Sequence, residues 1–301
     1  MLEFNEIKKI QDLYKKNKNI SKYLRTKKRE SVNSIETILY SYDLQSGSDY
    51  ARRKEKLIAK NNKNMVKKIS EYVSKLGAKS FLEAGTGEGL ILGLLDAKKM
   101  KNTPTLYGLD LSLSRLLFAK KYFKESRKKV QVFSGNMMEM PFSDNAIDIV
   151  TTVMSMEPNH GREKEILTEL FRVARRYVIL VEPTYELGSI KTKKHIIEHG
   201  YVRGLPKHIQ QLGFKILYHE YLGFSHPNNE NAIIIAEKNA NVRMKRTVNF
   251  VSPISKKPLK KHKNFLFCKE DGYAFPIIES IPCLLKENAI LASQIHKFIK
   301  K

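Results

Sequence analysis

Three glycines, Gly85, Gly87 and Gly89, alternate with other residues in FLEAGTGEGL, residues 81–90. A glycine-rich turn between a strand and a helix can hold a nucleotide or an adenosyl ligand, but it also serves as a plain tight turn. The third glycine comes too early for the dinucleotide spacing G-x-G-x-x-G. The carboxylate of Glu83 would repel a pyrophosphate, whereas it suits a ligand with an ammonium and a sulfonium group. The turn therefore predicts a site for a cationic ligand.

Polar residues also follow the next two predicted strands. Asp110 ends the strand Thr105–Asp110, where a carboxylate can accept both hydroxyls of a ribose. Asn136 and Met137 follow the strand Val130–Ser134. The Asn136 side-chain oxygen can accept from the exocyclic amine of an adenine, and a backbone N–H there can donate to the ring. Alternatively, Asp110 caps its strand and Asn136 is a turn residue; the order of the motifs favours the cofactor interpretation.

Hydrophobic patterning predicts strands alternating with helices, which is typical of a parallel α/β sheet with right-handed crossovers. Two final strands, GFKILYHEYL and NAIIIAEK, are separated by a polar turn at 227–231, so the last pair is predicted to be antiparallel. The predicted strands before them are 80–84, 105–110, 130–134, 146–154 and 177–182, and the predicted helices are 90–98, 112–124, 163–174 and 206–212.

The whole chain is predicted to divide into four parts. Residues 1–50 are predicted to be a basic helical extension together with a segment that covers the cofactor. The helical pattern breaks at YSYDLQSGSDYA, residues 40–51. Residues 51–238, opening with a helix over 51–76, form the main domain. Residues 239–247 are polar and are predicted to be a linker. Residues 248–301 form a small unit of short strands, followed by a C-terminal helix.

In their order, these motifs resemble those of class I S-adenosylmethionine-dependent methyltransferases. The motifs are Glu83-x-Gly85-x-Gly87-x-Gly89, Asp110, Asn136-Met137, PFSDNAIDIV and Glu169-x-x-Arg172-Val173, and the resemblance covers roughly residues 40–237. It implies a doubly wound, seven-stranded Rossmann-like sheet with an antiparallel last strand and S-adenosylmethionine as the cofactor. It assigns Glu83, Gly85, Gly87 and Gly89 to the methionine part of the cofactor, Asp110 to its ribose, and Asn136 and Met137 to its adenine. Thr86 and Leu111, next to these residues, are further candidate cofactor contacts.

The segment 40–51 resembles the N-terminal segment that folds over the cofactor in many of these enzymes. The resemblance places Tyr42 or Tyr50 near the sulfonium. The alternative is that these tyrosines only pack the N-terminal arm.

Methyl transfer is an in-line displacement, and a neutral hydroxyl or amine acceptor must also lose a proton to a base. SMEPNHG follows the fourth strand, so Glu157 and His160 are the candidate bases. The alternatives are a loop salt bridge for Glu157 and a capping or surface role for His160. The chain lacks [DN]-P-P-[YF] at this place and has Ser155-Met156-Glu157-Pro158 instead, which weakens the DNA-adenine and glutamine-amide interpretations.

An insert, LGSIKTKKHIIEHGYVRGLP, follows the fifth strand at the place of a substrate lid. Tyr185, His199, Tyr201 and Arg203 are the candidate substrate contacts. The alternative is that they belong to an ordinary helix surface.

Residues 248–290 resemble short zinc-ribbon-like domains, some of which activate methyltransferases related to translation. Ser252 and Ser255 stand where that family has its first cysteine pair, and Cys268 and Asp271 stand at the second pair. Serine hydroxyls are poor zinc ligands, so we expect this unit to fold without metal, through its apolar residues and by docking on the main domain.

The formal net charge is +24, with a pI near 9.8. Such a charge suits a polyanion such as RNA, or it only reflects lysine-rich helix surfaces.

No apolar run reaches the length of a membrane span, no signal-peptide h-region is present at the start, and two cysteines cannot build a disulfide framework, so a cytoplasmic protein is expected. The sequence predicts a methyltransferase acting on an O or N atom of a small-molecule acceptor such as a sugar or another biosynthetic intermediate. The alternatives are an RNA or translation-factor methyltransferase and a non-catalytic binding protein.

Overall fold

The computed structural model describes residues 4–16, 18–48, 56–226, 229–238 and 248–298. The predicted linker 239–247 and Tyr50 lie outside the described residues. No helix in these ranges is long and apolar enough to cross a membrane.

Three short helices form the N-terminal extension: α1 (Phe4–Lys15), α2 (Ile20–Lys28) and α3 (Ile35–Asp43). They pack around a small apolar cluster built on Ile10 and Leu24, both fully buried. The sequence pattern was expected to break from residue 40, but α3 continues through Asp43 and the chain turns only at 44–47. The side chain of Ser34 accepts a hydrogen bond from the Thr37 N–H and so fixes the start of α3.

The main domain follows as a parallel sheet with helices on both faces. Its helices are α4 (Lys56–Leu76), α5 (Leu90–Leu94), α6 (Leu113–Glu125), α7 (Glu163–Val173), α8 (Ile190–His199) and α9 (Leu205–Gln211). Its strands are β1 (Ser80–Ala84), β2 (Thr105–Asp110), β3 (Val130–Ser134), β4 (Ile147–Val153), β5 (Ala174–Pro183), β6 (Lys215–His226) and β7 (Asn229–Glu237).

Within the described residues, this sheet has seven strands in the order β3-β2-β1-β4-β5-β7-β6, and β7 runs antiparallel to its neighbours. The predicted seven-stranded sheet with an antiparallel last strand is confirmed. Every residue of β1 and β4 is buried, as expected for strands covered on both faces. Alternate residues of one strand belong to two apolar clusters: Leu82 packs toward α7 and Phe81 toward α4 and α6.

Several element boundaries differ from the predictions by up to four residues. The helix predicted over 90–98 ends at Leu94, and a 3₁₀ turn follows at Ala97–Lys99. The predicted turn at 227–231 is shorter, because Asn229 and Asn231 already pair with the sixth strand. In both cases tertiary packing, which local composition does not report, sets the boundary.

A small antiparallel sheet follows at the C-terminus. Its strands are β8 (Lys260–Lys261), β9 (Phe265–Phe267), β10 (Tyr273–Ile278), β11 (Ile281–Pro282) and β12 (Ile290–Leu291). The predicted C-terminal helix is wrong for the described residues, where only a 3₁₀ turn, Ile295–Lys297, is found.

The small sheet docks on the edge of the main sheet. The Leu284 N–H donates to the Ser134 carbonyl of β3 at 2.8 Å, and Cys283 forms a parallel bridge with Ser134. Phe250 packs on Phe133 and Phe142, with ring centroids 5.0 and 5.5 Å apart. The docking predicted for this unit therefore joins its core to that of the main domain.

Candidate functional site

The turn after β1 is shaped by the close approach of the loop that follows β4. Gly85 has φ +81°, and a Cβ built on it would lie 2.3 Å from the Ser155 Cβ. The Ser155 hydroxyl donates to the Ala84 carbonyl at 2.7 Å. A side chain at position 85 is therefore excluded both by the backbone conformation and by this contact.

Glu83 lies at the bottom of this turn and is 1% exposed. Its Oε2 accepts a hydrogen bond of 2.8 Å from the Thr86 hydroxyl. Burial raises the pKa of Glu83 to about 8, and the neighbouring Asp110 adds to the shift. A cationic group bound here would favour the charged carboxylate, so the position suits an ammonium ligand.

Asp110 stands at the tip of β2 with both of its oxygens fixed. Oδ2 accepts from the Gly87 N–H at 2.7 Å and Oδ1 from the Ser112 N–H at 2.9 Å. Burial raises the pKa of Asp110, although Arg115 and these two N–H groups oppose the shift. Each carboxylate oxygen keeps further acceptor capacity, so the pair can still receive two hydroxyl donors.

Asn136 follows β3 and is also buried. Its Oδ1 accepts from the Met138 N–H at 3.0 Å, which fixes the amide plane. A carbonyl oxygen has two lone pairs, so the same atom can accept a second hydrogen bond, as the predicted adenine contact requires.

These residues surround one cavity. Nine of the ten predicted cofactor residues line it: Tyr42, Glu83, Gly85, Thr86, Gly87, Asp110, Leu111, Asn136 and Met137. Gly89 does not. It is the N-cap of α5, and a Cβ there would lie 2.5 Å from the Phe123 ring, so its smallness serves the packing of α5 against α6.

The N-terminal extension covers this cofactor cavity through α3. The Asp43 carboxylate accepts from the Ser112 and Ser114 hydroxyls at 2.5 and 3.1 Å. The Gly47 N–H donates to the buried Glu88 at 2.7 Å, and the Asn33 amide donates to the Pro158 carbonyl at 2.9 Å. The cover is therefore attached at three separate points.

Sequence reasoning missed several lining residues, among them Arg115 and Glu88. Arg115 lies 5.4 Å from the centre of the Tyr42 ring, and it reaches the site from α6, which Ser112 caps. Glu88 lies inside the glycine turn itself. Its place in the motif was a usable signal, whereas nothing local pointed to Arg115.

Glu157 is buried and lies outside the residues that line the cofactor cavity. Its Oε1 accepts from the Asn229 amide at 3.1 Å. Burial raises the pKa of Glu157 to about 8, with a further contribution from Glu182, whose own pKa is raised to about 7 by burial. Glu182 accepts from the Ser155 and Met156 N–H groups, both at 3.2 Å, and so holds the loop after β4 in place.

His160 is held by two charged neighbours. Its Nε2 lies 2.6 Å from Arg203 Nη2, and its Nδ1 lies 2.7 Å from Glu163 Oε1. A guanidinium only donates, so Nε2 accepts and Nδ1 carries the hydrogen. His160 is therefore a neutral ring with both nitrogens engaged in this structure.

The four predicted substrate contacts do not come together. Arg203 bonds His160, and the Lys193 ammonium lies 5.7 Å from the ring centre of Tyr185. His199 and Tyr201 lie close to each other, with ring centroids 5.5 Å apart, and both line a second cavity beside Tyr42.

In the small sheet, the four positions that resemble metal ligands do gather. The Ser255 hydroxyl donates to Asp271 at 2.6 Å and lies 3.8 Å from the Cys268 sulfur, while the Ser252 oxygen accepts from the Ile254 N–H at 3.2 Å. In the described part of the chain, no three His, Cys, Asp or Glu side chains are placed to hold a metal ion.

Comparisons with known proteins agree with this geometry. Residues 81–176 match the family described as "Methyltransferase domain". A demethylmenaquinone methyltransferase from Bacillus licheniformis is 25% identical over 214 residues, which is 71% of this chain and 70% of the relative.

Among solved structures, magnesium protoporphyrin IX methyltransferase from Synechocystis PCC 6803 is similar in two forms. The form with bound SAH gives a TM-score of 0.54 at 17% identity, covering 68% of this chain and all of that chain. The form with bound SAM gives 0.52 at 15% identity, covering 70% of this chain and all of that chain. At these identities the likeness shows the fold.

The match over residues 81–176 and the sheet topology indicate a methyltransferase fold, and the resemblance in the sequence implies S-adenosylmethionine as the methyl donor. The residues present fit that molecule: a buried carboxylate for its cationic end, a doubly fixed carboxylate for hydroxyls and an amide oxygen for an amine.

Proposed function

We propose that this protein transfers the methyl group of S-adenosylmethionine to an oxygen or nitrogen atom of a small-molecule acceptor. The observation that carries the proposal is the convergence of Glu83, Asp110 and Asn136 on one cavity, each held by its own hydrogen bond. The attached α3 cover supports a small acceptor, because a segment held over the cavity at three points leaves little room there for a polymer.

S-adenosylmethionine supplies the methyl group as an electrophilic carbon on sulfur. The protein has to orient the acceptor, exclude water and remove a proton. We propose Glu157 as the proton acceptor, since it directly precedes Pro158 in the wall of the cofactor cavity, its charge acts on Tyr201, and its pKa is raised to about 8. His160 serves the same role only when Arg203 leaves its Nε2, so we place it second.

An RNA acceptor stays the second candidate, because a net charge of +24 favours polyanions. For the small C-terminal sheet we propose a zinc-ribbon-like origin with the Ser255–Asp271 hydrogen bond in place of metal bonds.

Calorimetry with S-adenosylmethionine tests the proposal. The wild type is expected to bind, and Asp110→Ala is expected to bind about 100-fold more weakly, because hydrogen bonds to a charged acceptor contribute about 1.5–3 kcal/mol each. Asp144→Ala, which removes a surface carboxylate paired with Arg172, is the matched control and keeps wild-type affinity. Failure of the wild type to bind contradicts the proposal.

The base assignment needs a rate. Purified protein with labelled S-adenosylmethionine is offered extracted small metabolites and, separately, total RNA, and the labelled product gives the acceptor. With that acceptor, Glu157→Gln is expected to lower kcat about 100-fold without changing cofactor affinity, whereas His160→Ala lowers it less. Unchanged rates in both variants remove the assignment, and label found in RNA alone favours the second candidate.

A further inference from the structure

A second cavity lies between the N-terminal extension and the end of α8. Lys18, Asn19 and Gln45 line it on the side of the extension, and His199 and Tyr201 line it on the other side. We call it the acceptor cavity below. The two segments that enclose it are far apart in the sequence, so only the folded chain builds it.

The acceptor cavity adjoins the cofactor cavity. Tyr42 and Pro158 line both of them, so one ring and one loop residue form their common wall. The Asn33 amide donates to the Pro158 carbonyl and ties that wall to the extension. A molecule in the acceptor cavity is therefore a direct neighbour of whatever the cofactor cavity holds.

Tyr201 links the acceptor cavity to the buried carboxylates. Burial and the nearby Glu157 and Tyr42 raise the pKa of Tyr201 well above its usual range. Its hydroxyl therefore stays neutral, able both to donate to a ligand and to accept from one.

The charges that line the acceptor cavity are all positive or neutral. Among its described lining residues there is no carboxylate, whereas Lys18 brings an ammonium group. His199 Nδ1 lies 3.0 Å from the His195 carbonyl oxygen and must donate to it, so Nε2 is the nitrogen that can meet a ligand. The remaining polar groups are carboxamides and hydroxyls, and two tyrosine rings give flat apolar walls.

We propose that the acceptor cavity holds the methyl acceptor, and that this acceptor is a flat, hydroxylated molecule that carries a carboxylate. The carboxylate lies toward Lys18, which lines only the acceptor cavity, and the reacting hydroxyl lies toward Tyr42 and Tyr201 at the wall shared with the cofactor cavity. The inference rests on the proposed methyltransferase function and adds the class of its substrate.

Methyl transfer at the wall shared by the two cavities is a single displacement step. An oxygen lone pair of the acceptor forms the new bond to the methyl carbon, and the carbon–sulfur bond breaks with its electron pair staying on sulfur. The hydroxyl proton passes to the Tyr201 oxygen, and the proton of Tyr201 goes to Glu157, the carboxylate whose charge acts on this tyrosine.

Two matched probes test the acceptor class: 3,4-dihydroxybenzoate and 3,4-dihydroxybenzamide, which differ in charge but hardly in shape. Each is titrated by calorimetry into protein saturated with S-adenosylhomocysteine. The benzoate is expected to bind at least tenfold more tightly than the benzamide. Lys18→Glu is expected to abolish this preference, and Lys22→Glu, the same charge change on the exposed side of α2 outside the cavity, is expected to keep it.

Equal binding of the two probes, or binding of neither, overturns the inference, as does an identical response of the two lysine variants. Saturation with S-adenosylhomocysteine is measured first in the same instrument. If that step fails, the proposed function fails; if it succeeds and the probes do not discriminate, only the acceptor inference fails.

Discussion

The cofactor cavity and the acceptor cavity meet at Tyr42 and Pro158, yet they are built in different ways. The first is formed by strand tips and by turns whose N–H groups bond carboxylates such as Asp110. The second is formed by helix ends, where side chains of α2 and α8 face each other. Strand tips in a buried sheet have little freedom, whereas helix ends on the surface can be replaced without disturbing the sheet. The residues proposed to hold the cofactor and those proposed to hold the acceptor thus lie on opposite sides of one wall.

The largest effect is expected from a substitution in the cofactor cavity, the more rigid of the two. Gly85→Ala places a Cβ 2.3 Å from the Ser155 Cβ at φ +81°. The turn and the loop after β4 must then separate, and we expect S-adenosylmethionine affinity to fall more than 100-fold in calorimetry, because overpacking and left-handed backbone strain each cost about 1–3 kcal/mol.

Gly213→Ala is its matched control. Gly213 has φ +79°, but nothing lies within 4 Å of a Cβ built there. This variant carries the same backbone strain without the contact, so it is expected to lose some thermal stability and keep its cofactor affinity. Equal loss of affinity in both would mean that strain, rather than the contact with Ser155, shapes the cavity.

A smaller effect is expected in the pH dependence of cofactor affinity, through the charge of Glu83. The pKa of Glu83 is raised to about 8, so the side chain is mostly protonated at pH 6 and pH 7. A cationic ligand binds the deprotonated form, and the free energy needed to remove the proton falls as pH rises toward 8. Affinity for S-adenosylmethionine is therefore expected to rise about ninefold from pH 6 to pH 7.

Glu83→Gln is the control for this pH dependence. It is expected to bind more weakly at both pH values and to lose most of the ninefold change. A wild-type affinity that stays constant from pH 6 to pH 7 would show that Glu83 is already charged before the ligand arrives.

The smallest expected effect concerns the cover. Asp43→Ala removes the acceptor of the Ser112 and Ser114 hydroxyls and loosens α3 above the cavity. Because the cover keeps two other attachments, we expect only about a fivefold loss of cofactor affinity, close to one hydrogen bond of about 1 kcal/mol. Asp12→Ala, on the surface of α1, is expected to change nothing. A loss as large as that of Gly85→Ala would make the cover part of the binding site itself.

The two cavities also differ in how far the sequence reveals them. Glu83 and Asp110 lie at the ends of their strands and Asn136 just after its strand, and each strand can be predicted from its own apolar run, so the convergence of the three follows from the parallel sheet. The bond of Ser112 to Asp43 joins residues 69 positions apart, and it forms only when the extension folds back. No local pattern reports such a contact.

The acceptor side shows the same limit. His199 and Tyr201 were expected near the substrate and lie together at the second cavity, while Arg203, two residues further on, turns to His160 instead. In the sequence, Lys18 is one of many basic residues of the N-terminal extension. Which of them faces a cavity depends on where the folded chain places residues 18–21 relative to the end of α8, and composition carries no information about that.

The bond from Leu284 to Ser134 has a consequence for the whole molecule. β3 is the outermost strand of the main sheet, and an uncovered outer strand offers its free amides and carbonyls to other chains. The small C-terminal sheet shields that strand and seals the aromatic rings of Phe133 and Phe142 beneath it. A chain cut before residue 248 would expose both and tend to aggregate. The boundary visible in the sequence is therefore not a boundary at which the folded protein can be divided.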